Sequence, residues 1–180
     1  MKLTHTELSG IVAKYPNPPN FDLFIETGTH KGCTVISMDP HFDELHTIEI
    51  TEHFYNFAQR RYTGNKINFH LGDSTKVLPD LLEQCRGKPA IFFLDAHWSC
   101  DKTGKGEKDV PLLEEVVLIN KHYNEPCIIV VDDYRLFNGG DPYVNWSEIS
   151  EKSILASIDS NKVIESYAAN DRFILLVRKV

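Results

Sequence analysis

The sequence predicts an α/β protein built on a doubly wound, seven-stranded, mostly parallel sheet with a C-terminal antiparallel hairpin. Three observations carry this expectation. Five short apolar runs alternate with longer amphipathic segments, the runs are continuously apolar, and the last two β-type segments are joined by a connection too short for a crossover. Continuous apolar runs are what strands covered on both faces require. Strands alternating with helices build a parallel sheet with helices on either side.

In chain order, Leu3–Tyr15 reads as a preliminary helix, broken by Pro16, Pro18 and Pro19. Strands are expected at Asp22–Ile25, Leu45–Ile48, Ile67–Leu71, Ala90–Leu94 and Cys127–Val131. Helices are expected near Gly32–Met38, Thr51–Tyr62, Ser74–Cys85 and Pro111–Tyr123. Asp73-Ser74 can cap the helix after the third strand, and Pro111 suits the first turn of the helix after the fourth. A helix over Ser147–Ile158 then leads to strands Lys162–Ala168 and Arg172–Arg178, which Ala169-Asn170-Asp171 can join only as a hairpin. No repeat, low-complexity tract or linker interrupts the pattern, so residues 1–180 are read as one domain.

Composition excludes several classes. With 19 Lys and Arg against 26 Asp and Glu, the net charge of −7 and the lack of a basic run argue against a nucleic-acid partner. No apolar stretch approaches the ~20 residues of a membrane span. Cys33, Cys85, Cys100 and Cys127 show no C-x-x-C spacing and read as reduced thiols. Lys2, His5 and Glu7 interrupt the N-terminus where a signal peptide would be apolar. A soluble, cytoplasmic protein is expected.

Each apolar run is followed closely by an acid: Glu26, Glu49, Asp73, Asp95 and the pair Asp132-Asp133. Ligands of open α/β sheets sit outside the carboxyl ends of the strands, so these acids are expected along one binding edge. Any single acid there could simply cap the next helix. The first belongs to Glu26-Thr27-Gly28-Thr29-His30-Lys31-Gly32, where two glycines between strand and helix permit a tight turn and close approach of a ligand. The dinucleotide spacing G-x-G-x-x-G is absent. An acid just before the turn would repel a pyrophosphate and welcome a cationic sulfonium and its amino group.

The segment Glu26–Gly32, with Glu49 and Asp73 at the next strand ends, resembles the cofactor motifs of class I S-adenosylmethionine (SAM)-dependent methyltransferases, a Rossmann-like family. The resemblance covers nearly the whole chain. It implies SAM as cofactor, with Glu26, Thr27, Gly28 and Gly32 around the methionine end, Glu49 on the ribose hydroxyls, and Asp73 with Ser74 facing the adenine.

Asp95 and Asp132-Asp133 end strands that are neighbours in the strand order this resemblance implies, and three convergent carboxylates would repel unless a cation joined them. Oxygen-only ligands suit Mg²⁺. This resembles the metal-dependent O-methyltransferases of the catechol and macrocin types, the latter modifying deoxysugars. The resemblance implies that Asp95, Asp132 and Asp133 hold Mg²⁺ against an acceptor hydroxyl. The macrocin type carries an Asp as base two residues after the fourth-strand Asp. Here His97 stands in that place, and neutral imidazole can accept a proton.

Trp98 and Tyr134, with Phe137, Tyr143 and Trp146, could hold a sugar or planar acceptor, or simply pack beneath a loop. Ser99–Asp109, rich in glycine and mixed charge, is expected to be a mobile loop that could close over the site. The reading is therefore an O-methyltransferase acting on a small-molecule hydroxyl, that of a sugar or glycan in the first place, with Mg²⁺-assisted deprotonation of the acceptor. The alternatives are a metal-independent methyltransferase with His97 as base and a non-catalytic Rossmann-like binding protein.

Overall fold

Strand β1 (Leu23–Thr27) is buried along its whole length, as are β4 (Ala90–Leu94) and β5 (Cys127–Val131), because helices cover both faces of the sheet. The computed structural model describes residues 2–98, 104 and 106–179. With β2 (Glu44–Glu49), β3 (Ile67–Leu71), β6 (Val163–Ala169) and β7 (Arg172–Val177), the strands form one seven-stranded sheet in the order β3-β2-β1-β4-β5-β7-β6. The first five are parallel. β7 runs antiparallel between β5 and β6. This is the expected architecture, with element ends shifted by a few residues.

Successive residues of each strand serve opposite faces. Ile25, Phe92, Leu94, Ile129, Val131 and Leu175 pack with α4 (Ser74–Gln84), α5 (Leu112–His122) and α6 (Glu151–Ala156) on one side. Phe24, Ile91, Phe93, Ile128, Val130 and Leu176 pack with α1 (His5–Val12) and α2 (Cys33–Met38) on the other. Helix α3 (Glu52–Arg61) links β2 to β3. Asn170 and Asp171 both have positive φ (52° and 63°), the conformation a two-residue hairpin turn needs to match strand twist. Among the described residues no helix is long and apolar enough to cross a membrane.

The register aligns the carboxyl ends on one edge: Thr27 lies beside Ile48 and Leu94, Glu49 beside Leu71, and Leu94 beside Val131. Chain order reverses direction between β1 and β4, and at that switch point an open α/β sheet leaves a crevice.

Candidate cofactor and acceptor site

The crevice is a cavity of about 330 Å³. Its walls come from the loops after β1 to β4, as the strand-end acids imply. Gly28 has φ +85° and sits directly on the end of β4, where a Cβ would lie 2.7 Å from the carbonyl carbon of Asp95. Glycine is required here both for the backbone conformation and for the closeness of the two strand ends.

Glu49 is fixed by the backbone at both carboxylate oxygens. Oε2 accepts from the His30 N–H at 2.6 Å and Oε1 from the Thr51 N–H at 2.8 Å. Each oxygen keeps a lone pair for a donor in the cavity, which suits a vicinal diol. Asp73 caps α4, its Oδ1 accepting from the Thr75 N–H (2.9 Å) and hydroxyl (2.7 Å). Ser74 and Thr75 line the same end. Ile50, Phe54 and His30 complete that wall, and the rings of His30 and Phe54 meet edge to face at 4.3 Å. Gly104 approaches Ile50, and a Cβ at Gly106 would fall 2.8 Å from Asp73 Oδ2, so both glycines lie close against this wall. Residues 99–103 and 105 of the expected closing loop lie outside the described residues.

Other motif residues sit one layer deeper. Glu26 is 2% exposed and does not line the cavity. Its Oε2 accepts from the Thr47 hydroxyl at 2.6 Å, which also meets Thr29 Oγ1 at 2.5 Å, and the carboxyl accepts from the backbone of Val35 at the start of α2. Thr27 is fully buried, donating through Oγ1 to Glu115 Oε2 at 3.3 Å, and Gly32 packs on Ala58 and Ile36. Glu26, Thr27 and Gly32 thus shape the turn from behind. Strand alternation explains part of this, since neighbouring residues at a strand end face opposite ways. Glu115, on the helix after the fourth strand, carried no sequence signal beyond lying on an apolar helix face.

Burial pushes the carboxyl of Glu26 up to about 8 against the Thr47 hydrogen bond, and that of Glu115 to about 7. Both values lie above the ordinary 4.5, so the native protein holds these protons more tightly than the unfolded chain does. Their contribution to stability is full below pH 4.5 and is lost as pH rises through about 7 to 8. At about 1.4 kcal/mol per pKa unit, the effect is a few kcal/mol. In Glu26→Gln, urea unfolding at pH 5 and pH 8 is expected to show a clearly smaller stability difference than in the wild type. An unchanged difference would mean that Glu26 is ionised in the native state.

At the far end, Asp95 and His97 line the cavity beside Trp98. His97 is set between two carboxylates, with Nε2 3.3 Å from Asp133 Oδ2 and Nδ1 3.6 Å from Asp95 Oδ1. Trp146, buried, backs the imidazole edge to face at 5.2 Å. Burial lowers the His97 pKa below 6.5 while Asp133 opposes it. Burial first, then the charges of Asp132, Asp133 and Glu26, hold the Asp95 carboxyl well above the usual range.

Asp132 is placed differently from the sequence expectation. Its Oδ1 lies 3.2 Å from Nε of the fully buried Arg172, whose Nη1 donates to Glu7 Oε1 at 2.6 Å. Asp132 and Asp133 are successive residues at a strand end and diverge. Asp133 is turned by a positive φ of 60° and is held by Arg135 Nη1 at 2.5 Å. The donor atoms that gather within 4.8 Å of one another are those of Asp95, His97 and Asp133. The expected substrate residues also divide. Trp98 lines the cavity, while Tyr134 packs on Phe137 (5.0 Å between centroids) and donates to Glu151 Oε1 at 2.6 Å, away from the cavity.

No protein-family model and no curated protein matches the sequence. Solved structures match the fold. A Clostridium thermocellum protein provisionally assigned as an rRNA methylase superposes with a TM-score of 0.67 at 12% identity, over 100% of this chain and 99% of that one. A Streptococcus mutans protein provisionally assigned as a methyltransferase, solved with S-adenosylhomocysteine (SAH), gives 0.62 at 11% identity over the full length of both. The chain spans 51% of the length of an amino pentose methyltransferase from Micromonospora echinaspora, with 73% of this chain covered, 14% identity and a TM-score of 0.49. At such identities the first two likenesses establish the Rossmann-like seven-stranded fold and nothing finer.

Proposed function

We propose that the protein is a SAM-dependent O-methyltransferase in which His97 takes the proton of an acceptor hydroxyl. The observation that carries this reading is the position of His97 in the cavity wall between Asp95 and Asp133, opposite the end that presents Glu49 and Asp73. With Nε2–H directed at Asp133, the Nδ1 lone pair faces the gap beside Asp95, where a hydroxyl oxygen can reach both groups. As the oxygen–methyl bond forms, the sulfur–methyl bond breaks, the proton passes to His97 and the sulfonium becomes the neutral thioether of SAH. The acids around the cavity favour the cationic donor over the neutral product. The indole face of Trp98 suits a sugar ring or planar acceptor, and we place the reaction on a small-molecule or glycan hydroxyl in the cytoplasm.

The close set of Asp95, His97 and Asp133 favours a second reading, with a divalent cation held by these three. Such a cation would lower the pKa of a coordinated hydroxyl. One imidazole among the ligands fits Mn²⁺ or a later metal better than Mg²⁺. Mg²⁺ on Asp95, Asp132 and Asp133 would have to use the Asp132 oxygen that is not paired with Arg172, or draw Oδ1 away from it.

Calorimetry is expected to show SAH binding and no NAD binding, with affinity for SAH falling roughly 10- to 100-fold in Glu49→Ala through loss of two charge-assisted acceptors. Binding of NAD alone would overturn the reading. Transfer of labelled methyl from SAM to a panel of sugars and catechols should persist in EDTA. Loss in EDTA with recovery on adding Mn²⁺ or Mg²⁺ would move the conclusion to the cation reading.

A further inference from the structure

A second group of chemistry-bearing side chains lies at the opposite end of β2. Glu44 and His46 belong to β2, His70 to β3, and Cys85 to the C-terminus of α4. Glu44 Oε1 lies 2.9 Å from His46 Nε2, and Cys85 Sγ lies 3.8 Å from the same nitrogen. The three donor atoms are all within 4.8 Å of one another. In tetrahedral Zn²⁺ sites, bonds of about 2.0–2.1 Å to N or O and about 2.3 Å to S put ligand atoms roughly 3.3–3.6 Å apart, so small side-chain shifts would complete the geometry. His46 is 6% exposed and Cys85 1%, whereas the Glu44 side chain is 32% exposed, leaving one open side.

The surroundings are those of an outer shell. His46 Nδ1 lies 3.0 Å from His70 Nε2, and Lys88 donates to the second oxygen of Glu44, fixing the carboxylate. Ligating imidazoles regularly direct their other nitrogen at such a partner.

We propose that Glu44, His46 and Cys85 form a binding site for one thiophilic divalent cation of the Zn²⁺ type, with water in the fourth position. Sulfur, nitrogen and one carboxylate oxygen are the ligands Zn²⁺ accepts and Mg²⁺ avoids. On binding, the Cys85 thiol releases its proton to solvent and the His46 tautomer inverts. Without metal, Nε2–H donates to Glu44 and Nδ1 accepts from His70. With metal, Nε2 ligates and gives its proton to solvent, while Nδ1–H donates to Nε2 of His70, whose own proton then resides on its Nδ1. Glu44 and Glu49 are five residues apart on one strand, roughly 16 Å, so the site is separate from the cavity and does not rest on the methyltransferase reading. The metal would fasten the last turn of α4 to β2, and the first turn of α4 bears Asp73 and Ser74 of the cavity.

Co²⁺ titration of the full chain tests the site, because Co²⁺ bound to thiolate gives a charge-transfer absorption that the Asp95, His97 and Asp133 group cannot produce. One equivalent is expected to generate the band, and Zn²⁺ to abolish it by displacement. Cys85→Ser should remove the band and weaken Zn²⁺ binding at least about tenfold, while Cys33→Ser keeps both. Absence of the band in the wild type, or its survival in Cys85→Ser, would overturn the proposal. Should Cys85→Ser not fold, nitrogen-15 spectra of His46 in the wild type give an independent answer. The tautomer must switch on adding Zn²⁺, and an unchanged spectrum would equally overturn it.

Discussion

Replacing His97 by alanine is expected to lower kcat about 10²- to 10⁴-fold while leaving SAH affinity within about twofold, the range for loss of a general base outside the cofactor contacts. The wild-type pH profile should show an acidic limb with an apparent pKa below 6.5, since burial holds the imidazole neutral to lower pH than usual. Asp133→Asn should lower kcat with little effect on KM, because the carboxylate that orients Nε2 and steadies the imidazolium is then replaced by a neutral amide. If His97→Ala turned over normally, the proton would have to leave through Asp95 and the reading of the site would fail.

The largest stability effect is expected at Arg172. Arg172→Leu should lower unfolding free energy by about 3–5 kcal/mol, the cost typical of removing one partner from a buried ion pair. Asp132 would be left buried beside Asp95 and Asp133 with its guanidinium gone, and Glu7 would lose its donor. Combining Arg172→Leu with Asp132→Asn and Glu7→Gln should recover much of the loss, because removing the remaining charges spares their desolvation. Guanidinium unfolding of the wild type, Arg172→Leu and the triple variant measures this. A single variant as stable as the wild type would show that the pairing contributes nothing.

Much of the fold was legible because its signals are local. Continuous apolar runs mark β1, β4 and β5, and Asn170-Asp171 marks the hairpin, since each depends on residues adjacent in the chain. The position of Glu49 and Asp73 on the cavity follows from the same logic, as residues at or just past a strand end. The direction of Asp132 was not legible, for it is decided by Arg172, forty residues later and two strands on, and by Glu7 at the other end of the chain. Asp132 and Asp133 lie past the end of β5, and the left-handed turn at Asp133, which sets where its carboxylate faces, carries no strong signal in the sequence. Ile50 and Phe54 were missed because apolar residues after a strand look like ordinary core until a cavity is seen beside them.

The placement of β7 between β5 and β6 bears on how the chain is made. During vectorial synthesis, Cys127–Val131 leaves the ribosome well before Arg172–Val177, so until the final hairpin docks, an apolar strand stands as an open sheet edge. Such an edge is a template for pairing with other chains. The same later segment carries Arg172, so Asp132 has no guanidinium beside it until forty further residues have been made. Nascent chains stalled in α6 should therefore need a chaperone to stay monomeric, and that need should end once β7 has docked between β5 and β6.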